Sequence, residues 1–305
     1  MIDNNTRRKP LFEATMLAFF LALLPLHAQG QPAAENKPAT SRKAAAVTHT
    51  GKHMINPAYD YILNVDSNPY AYTVRVNGWL LSSSTGTANN HFSSTRIGDY
   101  LVQGKNTVSI HIGPPPKGVP PQDKFDLQVQ TVRGAVLSYL WNPTKPHAPI
   151  PVQAEAHFEV PHLPLGPWAW QTAPKITLDA PTKAAINAHI KHLFDALNTK
   201  NADEATALFA TSNREGSAIT GYSTAESDAV SHADWTEEFS DPHWRMDPID
   251  YSKLRYTLEA DGRAVQVQRA DGGDVLRTTN VDKDGLLTSY DINLSLVHGR
   301  WTLVR

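Results

Sequence analysis

Fourteen of the chain's 22 prolines fall between Pro114 and Pro181. Proline donates no hydrogen bond to a sheet ladder and disrupts the interior of a helix. That stretch can therefore hold only loops and short or edge strands. It divides two regions of different period. Upstream, apolar residues alternate, as in Tyr72-Thr73-Val74-Arg75-Val76 and in Thr107-Val108-Ser109-Ile110-His111-Ile112. Alternation of this kind marks half-buried strands. Downstream, Ile186, Ile190, Leu193 and Leu197 recur at the spacing of one helix face,.

The upstream region has further strand and turn signals. Tyr59 to Val65 and Phe125 to Val132 read as strands, and His157 to Val160 as another,. Asn77-Gly78 is a hairpin turn, since both residues tolerate positive φ. The downstream region opens with helices. The first runs from Thr182 to Leu197; Asn201 with Glu204 resembles the capping box that starts a second; a third, capped by Ser231, runs to Phe239,. After Pro248 the period becomes two. Strands are expected around Tyr256, Val265 and Val275 to Val281, then in one run from Leu287 to Leu296, and finally around Trp301, with turns at Asp261-Gly262, Asp271-Gly272-Gly273, Asp284-Gly285 and His298-Gly299. Helices followed by antiparallel hairpins give an α+β layout.

The N-terminus reads as an export signal. Arg7, Arg8 and Lys9 precede a mostly apolar run from Leu11 to Leu26, and Ala28 offers a small residue for cleavage before Gln29,. The run contains Glu13 and falls short of the about 20 apolar residues of a membrane span,. Residues 1–28 are thus expected to be a cleaved signal peptide, and 29–54, rich in Ala, Lys, Thr and Pro, a disordered linker,. The chain has no cysteine, which leaves no disulfide, thiol nucleophile or lipid attachment site,. The mature protein is expected in the periplasm, or secreted, without a membrane anchor. The formal charge of −2 becomes −3 without residues 1–28. A near-neutral chain lacks the dense cationic face of a nucleic-acid binder.

Two resemblances refine the architecture. Val74-x-Val76-Asn77-Gly78, followed by the run Asp99-Tyr100-Leu101-Val102-Gln103-Gly104-Lys105-Asn106 and its strand, resembles the galactose-binding-like jelly-roll sandwich. His192 to Ala210 and His298 to Arg305 are similar to the opening helices and last strand of the NTF2-like superfamily, which includes ketosteroid isomerases and SnoaL-type cyclases. Together they imply an all-β sandwich over residues 55–175 followed by an α+β cone over 181–305. The isomerase family's catalytic tyrosine position falls on Leu193 and its carboxylate base on Ser217, or on Glu215 if the alignment slips. Leu193 carries no proton to transfer, so that chemistry is not expected.

Candidate sites are few. Tyr70 and Phe92, beside turn residues, are the best surface aromatics for a sugar or a partner, whereas Tyr72 and Trp79 are expected in the core. Asp241-Pro242-His243-Trp244-Arg245 is the densest polar and aromatic run, and Asp241, His243, Trp244 and Arg245 are binding candidates at the mouth of the cone,. Alternatively, Trp244 plugs the core and its charged neighbours face water. His189 and His192 lie on the polar side of their helix as two solvated residues, without a zinc motif. Asp234, Glu237 and Glu238 read as a solvated helix face. Asp271-Gly272-Gly273-Asp274 and Asp282-Lys283-Asp284-Gly285 lack the ligand pattern of a calcium loop. No catalytic residue, metal or cofactor is expected. The reading is a non-catalytic binding protein whose partner is a protein, in an accessory or toxin-neutralising role. The alternatives are a small-molecule or enzymatic site in the cone, and carbohydrate binding by the sandwich.

Overall fold

The alternating region folds into two four-stranded antiparallel sheets. These coordinates are a computed structural model, which describes residues 59–67, 70–86, 92–114, 125–141, 152–281 and 287–305. The signal-peptide segment, the linker to residue 54 and the turn at Asp284-Gly285 lie outside the described residues. One sheet has the order β4-β1-β6-β7, from β1 (Ile62–Asp66), β4 (Phe92–Arg96), β6 (Phe125–Thr131) and β7 (Gly134–Trp141). The other has the order β3-β2-β5-β8, from β2 (Tyr72–Val76), β3 (Trp79–Ser84), β5 (Gly104–Ile112) and β8 (Val152–Val160). Leu63, Val65, Leu127 and Val129 of the first sheet share one core with Val74, Val76, Val108, Ile110 and Ile112 of the second.

Local chemistry explains the corners. Asn77 and Gly78 both have positive φ, as a tight hairpin between β2 and β3 requires,. Asn106 is fully buried. Its side chain donates to the carbonyls of Val102 and Gly104 and accepts from Val102 N at 2.8 Å and from Asn77 Nδ2 at 2.7 Å. This asparagine therefore ties the Gly104 corner to the Asn77 turn. Strands β4 and β7 were not expected. Both are edge strands, so neither needs the apolar alternation that betrays an inner strand,.

The second region begins with a short helix α1 (Ala169–Thr172), then α2 (Ala180–Asn198), α3 (Ala202–Thr220) and α4 (Thr224–Phe239). Ile186, Ile190, Leu193 and Leu197 of α2 are fully buried. The Asn201 side chain accepts from Glu204 N at 3.1 Å and caps α3. The cap of helix α4 lies eight residues before the expected Ser231: it is Ser223, with Glu226 completing a capping box. Its first turns carry little apolar signal, and Ser227 and Ser231 pack inward instead.

The sheet beyond Pro248 has the order β14-β13-β10-β9, from β9 (Arg255–Glu259), β10 (Ala264–Gln268), β13 (Ile292–Val297) and β14 (Arg300–Leu303). Strand β11 (Leu276–Val281) pairs with β12 (Leu287–Tyr290) in a separate ladder. The expected single run from Leu287 to Leu296 is thus split at Asp291, and its two pieces belong to different sheets. The chain as a whole is a mixed α+β structure. A second core joins the α2 face to Phe209, Trp235, Phe239, Trp244, Val265, Val267, Tyr290, Ile292 and Leu294.

Candidate functional site

The two regions meet at their hairpin tips. The turn after β9 places Ala260, Asp261 and Gly262 all at positive φ, against the Asn77-Gly78 turn. A Cβ on Gly78 would meet the backbone nitrogen of Asp261 and lie 2.7 Å from its Oδ1, so only glycine permits this approach,. Ala260, Ala264 and Val304 from the second region complete the core of the first, together with Trp168 and Trp170. The Trp79 and Trp170 rings meet edge to face at 5.7 Å.

Two carboxylates, one buried and one largely buried, fix this joint. Glu259 is 2% exposed, and its Oε2 accepts from Arg75 Nη1 at 2.7 Å and Leu80 N at 2.8 Å. Burial pushes its carboxyl up, against the pull of the Leu80 N–H and of Arg75,. On α3, Glu215 accepts from Ala169 N at 2.6 Å and Arg305 Nη1 at 2.7 Å. Burial raises Glu215 as well, against the Arg305 charge. The Arg305 guanidinium also donates to Asp99 O at 3.0 Å and lies over the Trp168 ring at 5.3 Å,. Glu215 is thus held by the joint. Ser217 is equally committed, donating to Asn213 O at 2.6 Å.

Beside the joint runs a groove of about 400 Å3. Its floor is the outer face of β5 and β8, with Thr107, Ser109 and Glu155, and its walls include Trp170, Asp261 and Arg263. Thr107 Oγ1 lies 3.3 Å from His157 Nδ1, and His157 Nε2 lies 3.2 Å from Glu155 Oε1. Trp170 Nε1 is buried with no hydrogen-bond partner among the described residues. Sequence reading missed these groups. The Ala154-Glu155-Ala156-His157 alternation was the available signal, masked by Pro149 and Pro151 just before it.

The residues expected to form sites do not converge. Tyr70 is fully buried, with its ring edge-on to Trp141 at 5.0 Å, which corrects its expected place on the surface. It lies two residues before Tyr72 and so shares the inward face of β2,. The pairing of Tyr70 with Phe92 as an aromatic platform is therefore excluded. Phe92 is 66% exposed on the outer face of the β4-β1-β6-β7 sheet. There it begins a cross-strand row: Phe92 opposite Asp66, Asp66 opposite Asp126, and Asp126 opposite Leu140. Leu140 is 58% exposed.

The Asp241–Asp247 loop is an anchor. Trp244 is buried against Phe239 at 5.2 Å, and its Nε1 donates to Leu197 O at 3.0 Å. The Asp241 side chain accepts from His243 N at 2.7 Å, and the Asp241 carbonyl accepts from Lys200 Nζ at 2.7 Å. His243 and Arg245 are exposed, while the Arg245 carbonyl accepts from Thr279 N at 2.8 Å. Asp247 pairs with Arg269 and Arg277. The space under the loop is filled: Trp235 packs on Phe209, Phe239 and Tyr290 with ring centroids 5.2 to 5.4 Å apart. Asp241, His243, Trp244 and Arg245 thus share a loop whose tryptophan packs into the core beneath it.

Two helix residues also differ from expectation, whereas His192 is exposed on the polar side of its helix as expected. His192 pairs with Glu204 at 2.6 Å. His189 is half-buried, and burial with the nearby His192 lowers its pKa. Asp234 is partly buried too. Desolvation, aided by the Glu237 charge, pushes its carboxyl up to about 6. Among the described residues no group of three His, Asp or Glu is placed to hold a metal, and no helix is long and apolar enough to cross a membrane. Comparison with known protein families, with curated proteins and with solved structures finds no match.

Proposed function

We propose that this chain is an exported, non-catalytic binding protein whose partner is another protein, met in the periplasm or after secretion. Its role is that of an accessory factor or a toxin-neutralising immunity protein. In this reading the first region is a jelly-roll-like β-sandwich and the second an NTF2-like cone. The shared core of the two four-stranded sheets, and the helices that precede the antiparallel hairpins, support those assignments. The row from Phe92 to Leu140 carries the partner reading. An exposed aromatic and an exposed leucine flank two carboxylates across four neighbouring strands. Two exposed apolar side chains on one sheet face, with carboxylates between them, offer a partner both apolar contact and charge.

The test is capture from periplasmic extract by the wild-type protein and by Phe92→Ser/Leu140→Ser. A specific protein held by the wild type and lost from the variant is expected. Absence of any protein partner at micromolar concentration would overturn the reading.

A second reading, carbohydrate binding, moves from the Tyr70 and Phe92 aromatics to the groove at the joint. Thr107, Ser109, Glu155 and Arg263 offer the mixed donors and acceptors that a polyhydroxylated ligand needs,. A glycan array with the wild type and Glu155→Gln decides it: no glycan retained by the wild type removes this reading.

A further inference from the structure

Strand β8 runs along the outer edge of the β3-β2-β5-β8 sheet. Its nine residues pair with β5 without a register shift, from Gly104 opposite Val160 to Ile112 opposite Val152. Edge strands are ordinarily blunted by bulges, prolines or lysines, because a long regular edge is a template for pairing. Strand β7, one edge of the other sheet, pairs with β6 through a register shift between Val129 and Gln130. Strand β8 has no shift, proline or lysine. Its core-side alanines are also only partly covered. Ala154 and Ala156 are only half-buried, although Ile110 and Val108 opposite them on β5 are buried.

We infer that this edge is filled by a second copy of the same chain, with β8 pairing antiparallel to its two-fold mate. Charge and shape select the register. Facing residues in a sheet must share a side, so the two-fold passes through a residue position. Centred on Ala156, the sequence Val-Gln-Ala-Glu-Ala-His-Phe-Glu-Val complements itself. On the core side Val152 meets Val160, Ala154 meets Phe158, and Ala156 meets its own copy. On the outer side Glu155 meets His157 and Gln153 meets Glu159. Centring on Glu155 would oppose two glutamates directly. Centring on His157 would oppose Glu155 to Glu159. Like charges directly opposite destabilise a strand pair.

The dimer carries an eight-stranded sheet through both copies and sets the second copy's His157 beside Glu155, a groove residue. Nine paired residues extend about 30 Å. Such a contact lies at or below the low end of the roughly 1,200–2,000 Å2 buried in stable interfaces, so association is concentration-dependent. The inference stands independently of the protein-partner reading, which uses the other sheet.

Sedimentation equilibrium of the purified protein, from about 1 to 200 μM, should show a monomer–dimer equilibrium in the micromolar range. His157→Glu should weaken it at least about tenfold by opposing carboxylates. The swapped variant Glu155→His/His157→Glu should restore it, because each carboxylate again faces an imidazole and not a second carboxylate. Ala156→Cys provides a second readout, since the chain has no other thiol. Directly opposed residues have Cα atoms about 4.5–5.5 Å apart, within disulfide range. Mild oxidation should link this variant into a dimer, whereas Thr236→Cys, exposed on α4, stays monomeric. A monomer at every concentration overturns the inference. So does a dimer that His157→Glu leaves intact while Ala156→Cys links no faster than Thr236→Cys.

Discussion

The Arg75 guanidinium reaches the Glu259 carboxylate at 2.7 Å, across 184 residues of sequence. The same nitrogen donates to the Gly78 carbonyl at 2.8 Å. One arginine therefore ties the first region's hairpin to the end of β9. Because Glu259 also accepts from Leu80 N, a carboxylate from the second region satisfies the backbone of the first. The two regions also complete one core. They are expected to unfold together, not as two modules on a linker.

Arg75→Met should cost about 2–4 kcal/mol at pH 8, because it leaves the Glu259 carboxylate buried without its cation,. Glu259 already has a raised folded pKa. Removing Arg75 raises it further, so the group takes up a proton in the folded state more readily than in the unfolded chain. The stability tied to its protonated form is present at low pH and lost as pH rises through the folded pKa. The deficit of Arg75→Met should therefore shrink on acidification from pH 8 towards pH 5. Urea denaturation at both values checks this, and an equal deficit at both would contradict it.

Gly78→Ala should destabilise by more than about 2 kcal/mol. The added methyl meets left-handed strain at φ 81° and the Asp261 backbone together,. Gly299 is the internal control. It also has positive φ, but nothing lies within 4 Å of a Cβ there. Gly299→Ala should cost about 1 kcal/mol, the strain alone. Equal costs at the two turns, measured by thermal unfolding, would mean that the hairpin tips do not bear on each other.

The sequence made the repeating parts legible. The inward face of β5, the stripe of α2 and the Asn201 cap all follow from spacing and side-chain chemistry alone. What it concealed depends on pairing over distance. Glu259 and Arg75 look like ordinary surface charges until the two tips meet. Tyr70 was misplaced because the turn beside it outweighed its parity with Tyr72. Asp241 and His243 resembled a site, but the neighbouring Trp244 had already filled the space beneath them. Strand β7 and the groove needed the sheet order, which no local period supplies.

Asp234 should make stability fall with rising pH. Desolvation pushes its carboxyl up to about 6 in the folded protein, against an ordinary 3.8. The folded state therefore binds a proton that the unfolded chain releases between these values. The stability linked to it is fully present below about pH 4 and lost as pH rises through 6,. Partial exposure screens the effect to about 1–2 kcal/mol. Asp234→Asn should stabilise the protein by that amount at pH 8 and flatten its melting temperature between pH 5 and 8. An unchanged pH profile would show that another group dominates.

Trp244→Ala and His243→Ala should separate anchoring from binding in the Asp241–Asp247 loop. Removing the Trp244 ring empties its place against Phe239 and takes the N–H from the Leu197 carbonyl near the end of α2. Loss of a buried tryptophan costs about 3–5 kcal/mol, and the deserted carbonyl adds to it. His243 is exposed, with no side-chain bond to lose among those identified for the described residues. Its replacement should stay within about 0.5 kcal/mol. If the loop serves only to close the core, His243→Ala also leaves capture of a periplasmic partner unchanged. Loss of capture by His243→Ala with unchanged stability would instead move the binding surface from the Phe92 row to this loop.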